Sequence, residues 1–294
     1  LVKIKVGGST FSKSIKIETV KPNRMKMIFD VSESDIIPYN QPKDIALQVD
    51  WLHGAPAQNA KVVIDATMRA AQTVFKGFEG YVFDDPAKTF EPEEFTLFDG
   101  RVDAKGKTMV HVAFDNVANA PGMVNVQLRT RAFDAGGDFS TDRFIIKYSP
   151  YESYVGLKIP EGEGWNNALF SNESNIVPLA LVDQYGKPIS GNVKIEIFSI
   201  YWRWWWDASD QNDLAQYISN SYQNLLHSET VTVKNGKLMY DMDLGIEHWG
   251  RKYLRVTHLE SGHSAGQTFY TTYKGWWSNA SSENPGGAEM LQFE

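Results

Sequence analysis

Five residues, Gly262-His263-Ser264-Ala265-Gly266, spell the G-x-S-x-G string of a nucleophile elbow, in which a strained strand-to-helix turn exposes a serine oxygen for acyl transfer. That chemistry needs a helix behind the serine, an oxyanion hole, and a histidine brought up by the fold. The residues that follow, Gln267-Thr268-Phe269-Tyr270-Thr271-Thr272-Tyr273, are β-branched and aromatic, and they predict a strand. The string is therefore read as coincidence, and the chain is expected not to be an enzyme.

Metal and thiol chemistry fare no better. The six histidines, at 53, 111, 227, 248, 258 and 263, never stand two or four residues apart as a metal-binding pair on one element would. Asp207, Asp210 and Asp213 lack the glycine turn and terminal glutamate of a calcium loop, and read as a solvated loop. No cysteine occurs, which removes disulfides, thiolate nucleophiles and sulfur-ligated zinc together. No catalytic, metal-ligating or cofactor-binding residue is assigned, and no cofactor is expected.

Two stretches have the character of binding surfaces. In Tyr201-Trp202-Arg203-Trp204-Trp205-Trp206, the upstream alternation of Val193, Ile195 and Ile197 with Lys194 and Glu196 gives way to apolar residues on both faces from Phe198 onward. Exposed, such rings make a platform for sugars. Covered by an insertion or a neighbouring module, they are an interface, which is the reading preferred here because large aromatics mostly serve cores and obligate contacts. Trp202, Trp204, Trp206, Trp276 and Trp277 are taken as an interdomain or partner surface. The second stretch, Phe75 to Phe98, sets Glu79, Asp84, Asp85, Glu91, Glu93 and Glu94 among aromatics and reads as an insertion with a solvated acidic face.

The elements that hold these residues are strands. Ile45, Leu47, Val49 and Trp51, then Val110, Val112 and Phe114, then Val124, Val126 and Leu128 repeat with a period of two, the mark of half-buried strands. Asp99-Gly100, Lys105-Gly106, Gly136-Gly137 and Asn235-Gly236 supply turn signals between them. Gly8, Phe11, Ser12, Ile17 and Pro22 recur 128 residues later as Gly136, Phe139, Ser140, Ile145 and Pro150, and Leu128, Arg129 and Gly136 recur as Leu254, Arg255 and Gly262. Three copies of one hairpin, near 1–20, 123–148 and 252–273, follow. The expected organisation is all-β: terminal strands of a preceding domain in 1–21, β-sandwiches of about seven antiparallel strands in 22–150 and 151–275, and a linker with the first strand of a next domain in 276–294. Leu214, Tyr217, Ile218, Tyr222 and Leu225 have helical spacing and predict a short helix inside 207–226.

The 294 residues carry a net charge of −7 with their basic side chains scattered, so the electrostatic footprint of a nucleic-acid binder is missing. No apolar run approaches the roughly 20 residues that a membrane helix needs. Leu1 to Val6 already alternates like a strand, so any targeting signal is expected upstream.

Trp51-Leu52-His53-Gly54-Ala55-Pro56-Ala57-Gln58-Asn59, Phe78-Glu79-Gly80-Tyr81-Val82-Phe83, Trp202 to Asp207, Trp249-Gly250-Arg251, Ser261-Gly262-His263 and Glu283-Asn284-Pro285-Gly286-Gly287 resemble tandem macroglobulin domains of the bacterial α2-macroglobulin family, those before its bait-region domain. The resemblance implies a periplasmic or membrane-anchored proteinase trap of the cell envelope. Such a trap is a monomer whose partners are the target proteases and its own neighbouring domains. In that family a bait segment is cut and a Cys-Gly-Glu-Gln thioester captures the attacker. This chain has no cysteine, and the bait is expected after Phe293, so these modules would form structural parts of the trap. The alternative is a pair of carbohydrate-binding sandwiches from a polysaccharide-processing or adhesion protein.

Overall fold

The computed structural model describes residues 2–7, 9–13, 22–32, 35–114, 117, 119–164, 167–200, 225–245 and 249–273. Its elements are strands. A first hairpin pairs β1 (Val2–Val6) with β2 (Ser9–Lys13). The first sandwich follows with β3 (Met25–Phe29), β4 (Ile36–Ile37), β5 (Lys43–Trp51), β6 (Lys61–Ala70), β7 (Glu93–Arg101), β8 (Lys107–Val112), β9 (Val124–Phe133) and β10 (Phe139–Tyr148). The second contains β11 (Ser153–Leu157), β12 (Leu169–Phe170), β13 (Asn175–Asp183), β14 (Gly191–Ser199), β15 (Leu225–Val233), β16 (Lys237–Met242), β17 (Gly250–His258) and β18 (Ser264–Thr272).

The two sandwiches have one topology. A three-stranded sheet β3-β5-β8 faces a five-stranded sheet β4-β10-β9-β6-β7; in the second, β11-β13-β16 faces β12-β18-β17-β14-β15. Pairing is antiparallel except for the two-residue β4 and β12, which run parallel to β10 and β18. Even the irregularities repeat, with a register shift at Ile64/Asp65 in β6 and another at Ile197/Phe198 in β14. The architecture is the all-β, immunoglobulin-like one that the period-two pattern implies.

Alternation places the cores. In β9, Val124, Val126, Leu128 and Ala132 are buried and meet Ile45, Leu47, Val49 and Val110 of the facing sheet. In the second sandwich Val193, Ile195 and Ile197 meet Val155, Val177, Leu179 and Leu181. Turn chemistry follows the sequence at Asn235 and Gly236, both with positive φ (51° and 77°), as a tight antiparallel turn demands.

Three expectations are corrected. The first insertion ends sooner than Phe98, because Glu93–Arg101 is β7 and pairs residue by residue with β6, Phe95 opposite Ala66. Asp99-Gly100 is accordingly inside that strand and is no turn; the Phe98 ring lies over Gly100, where a Cβ would come within 2.7 Å of it. Leu225 and Leu226, the end of the expected helical segment, open β15. The rest of that segment, residues 207–224, lies outside the described residues, as do Asp207, Asp210 and Asp213 and the expected linker and strand of 276–294.

Candidate functional site: the joint between the sandwiches

Strand β11 is buried along its whole length, and β13 is buried on both faces from Leu179 to Val182. Val155, Leu157, Leu179 and Leu181 point into the second sandwich's own core, while Tyr154, Ala180 and Val182 point outward. What covers them is a long loop of the first sandwich, residues 71–92 between β6 and β7, through Phe75, Phe78 and Phe83. Phe83 meets Phe75 and Phe78 edge-on at centroid distances of 4.9 and 6.0 Å, and Phe75 lies 5.4 Å from Tyr154. Gly156 allows this approach, since a Cβ there would stand 2.5 Å from the Phe83 ring.

The loop then runs around the edge of the second sandwich, bonding to a strand of each sheet. Val82 exchanges both backbone hydrogen bonds with Leu157 on β11, at 2.8 and 3.0 Å, and the Gly266 amide on β18 donates to the Asp84 carbonyl at 3.0 Å. It thereby satisfies strand edges that would otherwise need water or a partner. Beyond it, Ala87 packs on Phe198, Ile200 and Tyr253, on the outer face of the five-stranded sheet.

A buried carboxylate fixes the crossing point. Asp85 is 1% exposed. It accepts hydrogen bonds from the Tyr253 hydroxyl, from the Ser264 hydroxyl at 2.5 Å and from the Ala87 amide at 2.9 Å. Nearby, Lys88 donates to the Tyr151 hydroxyl at 2.9 Å with its ammonium 4.9 Å from that ring's centroid. Burial pulls Lys88 below the ordinary lysine value against the opposing pull of Asp85. Burial and the Asp85 charge push the Tyr151 hydroxyl up to about 12 and raise Tyr253 well above its usual value, so both phenols stay protonated donors. Asp84 accepts the Thr73 amide at 3.1 and 3.2 Å, and burial raises its pKa. Asp84 and Asp85 are thus turned inward, a correction to the solvated acidic face expected of this loop.

Three members of the G-x-S-x-G string, His263, Ser264 and Gly266, serve this joint. Gly262 has φ +69° in the turn between β17 and β18. His263 is fully buried; its Nδ1 accepts the Val155 amide at 3.1 Å and its ring lies 4.6 and 4.9 Å from those of Tyr154 and Tyr151. With Nδ1 an acceptor, the neutral ring carries its proton on Nε2, and burial lowers its pKa well below the usual histidine value. Ser264 donates to Asp85, and among the described residues no histidine is hydrogen-bonded to it. Ala265 is core, and Gly266 leaves room for the Tyr253 hydroxyl, which a Cβ would strike. The residue after Ser264 continues a strand, so neither the turn nor the pairing of a nucleophile elbow is present.

Sequence reasoning missed this site. Trp202, Trp204, Trp206, Trp276 and Trp277, together with Arg203, lie outside the described residues, whereas the joint is made by Phe75, Phe83, Asp85, Tyr154, Tyr253, His263 and Ser264. Only the start of the two-sided apolar run is described: Phe198, on the outer face, is covered by Ala87 and lies under Arg255, whose guanidinium is 5.1 Å from its centroid. Among the described residues, no three His, Asp or Glu side chains gather closely enough to hold a metal, and no helix is long and apolar enough to cross a membrane.

Two immunoglobulin-like sandwiches of identical topology in series, the first strapped to the second, define a tandem all-β modular protein. The bacterial alpha-2-macroglobulin MG5 domain matches residues 23–143, and bacterial macroglobulin domain 6 matches residues 156–276. This chain belongs to the bacterial α2-macroglobulin family. Solved structures of similar fold include the native conformation of Escherichia coli α2-macroglobulin (TM-score 0.54, 15% identity, 91% of this chain and 17% of that one). The trypsin-activated E. coli protein matches with TM-score 0.56 and 15% identity over 87% of this chain and 17% of its own, and the porcine-elastase-activated form with 0.51 and 16% over 87% and 22%. The chain therefore spans about a fifth or less of the length of these relatives. No significant match was found among the curated proteins.

Proposed function

We propose that the two sandwiches, with limits near 22–150 and 151–275, are non-catalytic structural modules of a protease trap of the α2-macroglobulin kind, held in the bacterial cell envelope and acting as a monomer. The observation that carries this is the fate of the chemically capable side chains: Ser264, His263, Asp85 and Tyr253 are all engaged in holding one module to the next, leaving none aimed at an open cleft. The matched domains are consecutively numbered in that family, which supports a wall-forming role within a longer protein. Trp202, Trp204, Trp206, Trp276 and Trp277 belong to the same proposal as a surface toward neighbouring domains.

The test uses the full-length protein from which the chain comes. Incubated with trypsin, it should leave cleavage of a small chromogenic peptide largely intact while blocking digestion of a large protein substrate. Equal inhibition of both substrates, or of neither, would overturn the reading. The carbohydrate alternative is tested separately: saturable binding of a cell-wall or plant glycan that vanishes in Trp204→Ala would replace the scaffold by a sugar platform.

A further inference from the structure

We propose that residues 71–92 are a strap that makes the two sandwiches one rigid, cooperatively folding body, so that the joint between them is not a hinge. Domains joined in series ordinarily move relative to one another, because most interdomain contacts are small and polar. This contact differs in three respects. It is apolar at its centre, where Phe75, Phe78 and Phe83 cover Tyr154, Ala180 and Val182. Its backbone hydrogen bonds run to both sheets of the second sandwich, to Leu157 on β11 and to Gly266 on β18, so no single rotation releases both. Beside that apolar part lies a buried carboxylate, Asp85, whose donors Tyr253 and Ser264 come from adjacent strands of the other module.

The connection between β10 and β11 supplies no slack. A hinge needs a few residues free to change φ and ψ. Here Ser149 is fully buried, its amide donates to the Ile37 carbonyl at 2.9 Å and its hydroxyl to the Tyr151 carbonyl at 2.7 Å. The Tyr151 hydroxyl in turn donates to the Ala120 carbonyl at 2.6 Å, and Gln184 ties the far side by accepting the Tyr39 amide at 2.8 Å. Any rearrangement of a longer protein would then swing this pair as a unit about its outer ends.

The inference goes beyond the trap reading and does not depend on it, because it is tested on the 294-residue chain alone. The chain has no cysteine, so spin labels at Lys107→Cys and Lys234→Cys, both exposed and one on each sandwich, report on the joint directly. The expected result is one narrow distance distribution by double electron-electron resonance. Phe83→Ala or Asp85→Ala should widen it at least twofold. A broad distribution in the unmutated joint overturns the proposal, and so does a narrow one that neither variant changes. Should both variants fail to fold, hydrogen exchange in the parent chain decides: the Val82, Leu157 and Gly266 amides should exchange as slowly as those of the β9 and β14 cores, and exchange a hundredfold faster would overturn the strap.

Discussion

Gly156 and Phe83 give the sharpest test of how the joint is packed. A methyl group at residue 156 would sit 2.5 Å from the Phe83 ring, too close for any relaxed contact. The ring cannot retreat easily, because Phe83 is fully buried and wedged between Phe75 and Phe78. Gly156→Ala should therefore cost about 1 to 3 kcal/mol, the usual range for overpacking. Phe83→Ala should cost about 3 to 5 kcal/mol through the lost burial and the cavity left behind. In the double variant the new methyl enters the space vacated by the ring. Its penalty disappears, and alanine in a strand interior contributes roughly 0.5 to 1 kcal/mol over glycine. A double-mutant cycle by urea denaturation at pH 7 should thus show favourable coupling of about 2 kcal/mol or more, near the upper end for residues in contact. If Phe83→Ala leaves too little folded protein, Phe83→Leu should give about half that coupling by the same packing argument. Equal costs for Gly156→Ala in the two backgrounds would mean that the ring is not seated on β11, and the account of the joint would fall.

Ser264→Ala removes one of three donors to Asp85 and should lower stability by about 1.5 to 3 kcal/mol, as for a hydrogen bond to a charged group, with no change in hydrolysis of a nitrophenyl ester; a turnover that depends on Ser264 would restore the hydrolase reading. His263 should be neutral by NMR at about pH 6.5, where an ordinary histidine is half protonated, because burial lowers its pKa well below that value. Because its folded pKa lies below the unfolded value of about 6.5, the unfolded chain takes up the proton first, and stability contributed by this residue should fall as pH drops below about 6.5. A normal titration of His263 near 6.5 would show the joint to be open. Lys252, 2% exposed, donates to the Trp249 carbonyl at 2.8 Å, and burial lowers its pKa to about 8. Its Cε resonance should titrate near that value, and its contribution to stability should rise with pH from about 8 to the unfolded value near 10.4; a midpoint above 10 would refute the burial.

The amino-acid sequence carried the architecture by local rules. Side chains alternate across a strand, so Val124, Val126 and Leu128 or Val193, Ile195 and Ile197 name the core face without reference to any partner. Asn235-Gly236 announces its turn because few residues accept positive φ twice in succession. The joint was partly written there too: Ile176 to Val182 is apolar on both faces, and Gly156 and Gly266 sit inside strands where glycine marks a close approach. Alternation says only that a face is covered. It cannot say by what, and an acidic loop such as Glu79 to Asp85 looks solvated until its partners are known. Asp85 meets Tyr253 and Ser264 across 168 and 179 residues of chain, a pairing that no period or spacing encodes. It exists because burying Phe75, Phe78 and Phe83 against β11 and β13 carries the carboxylate out of water, where only a fully hydrogen-bonded position is tolerable.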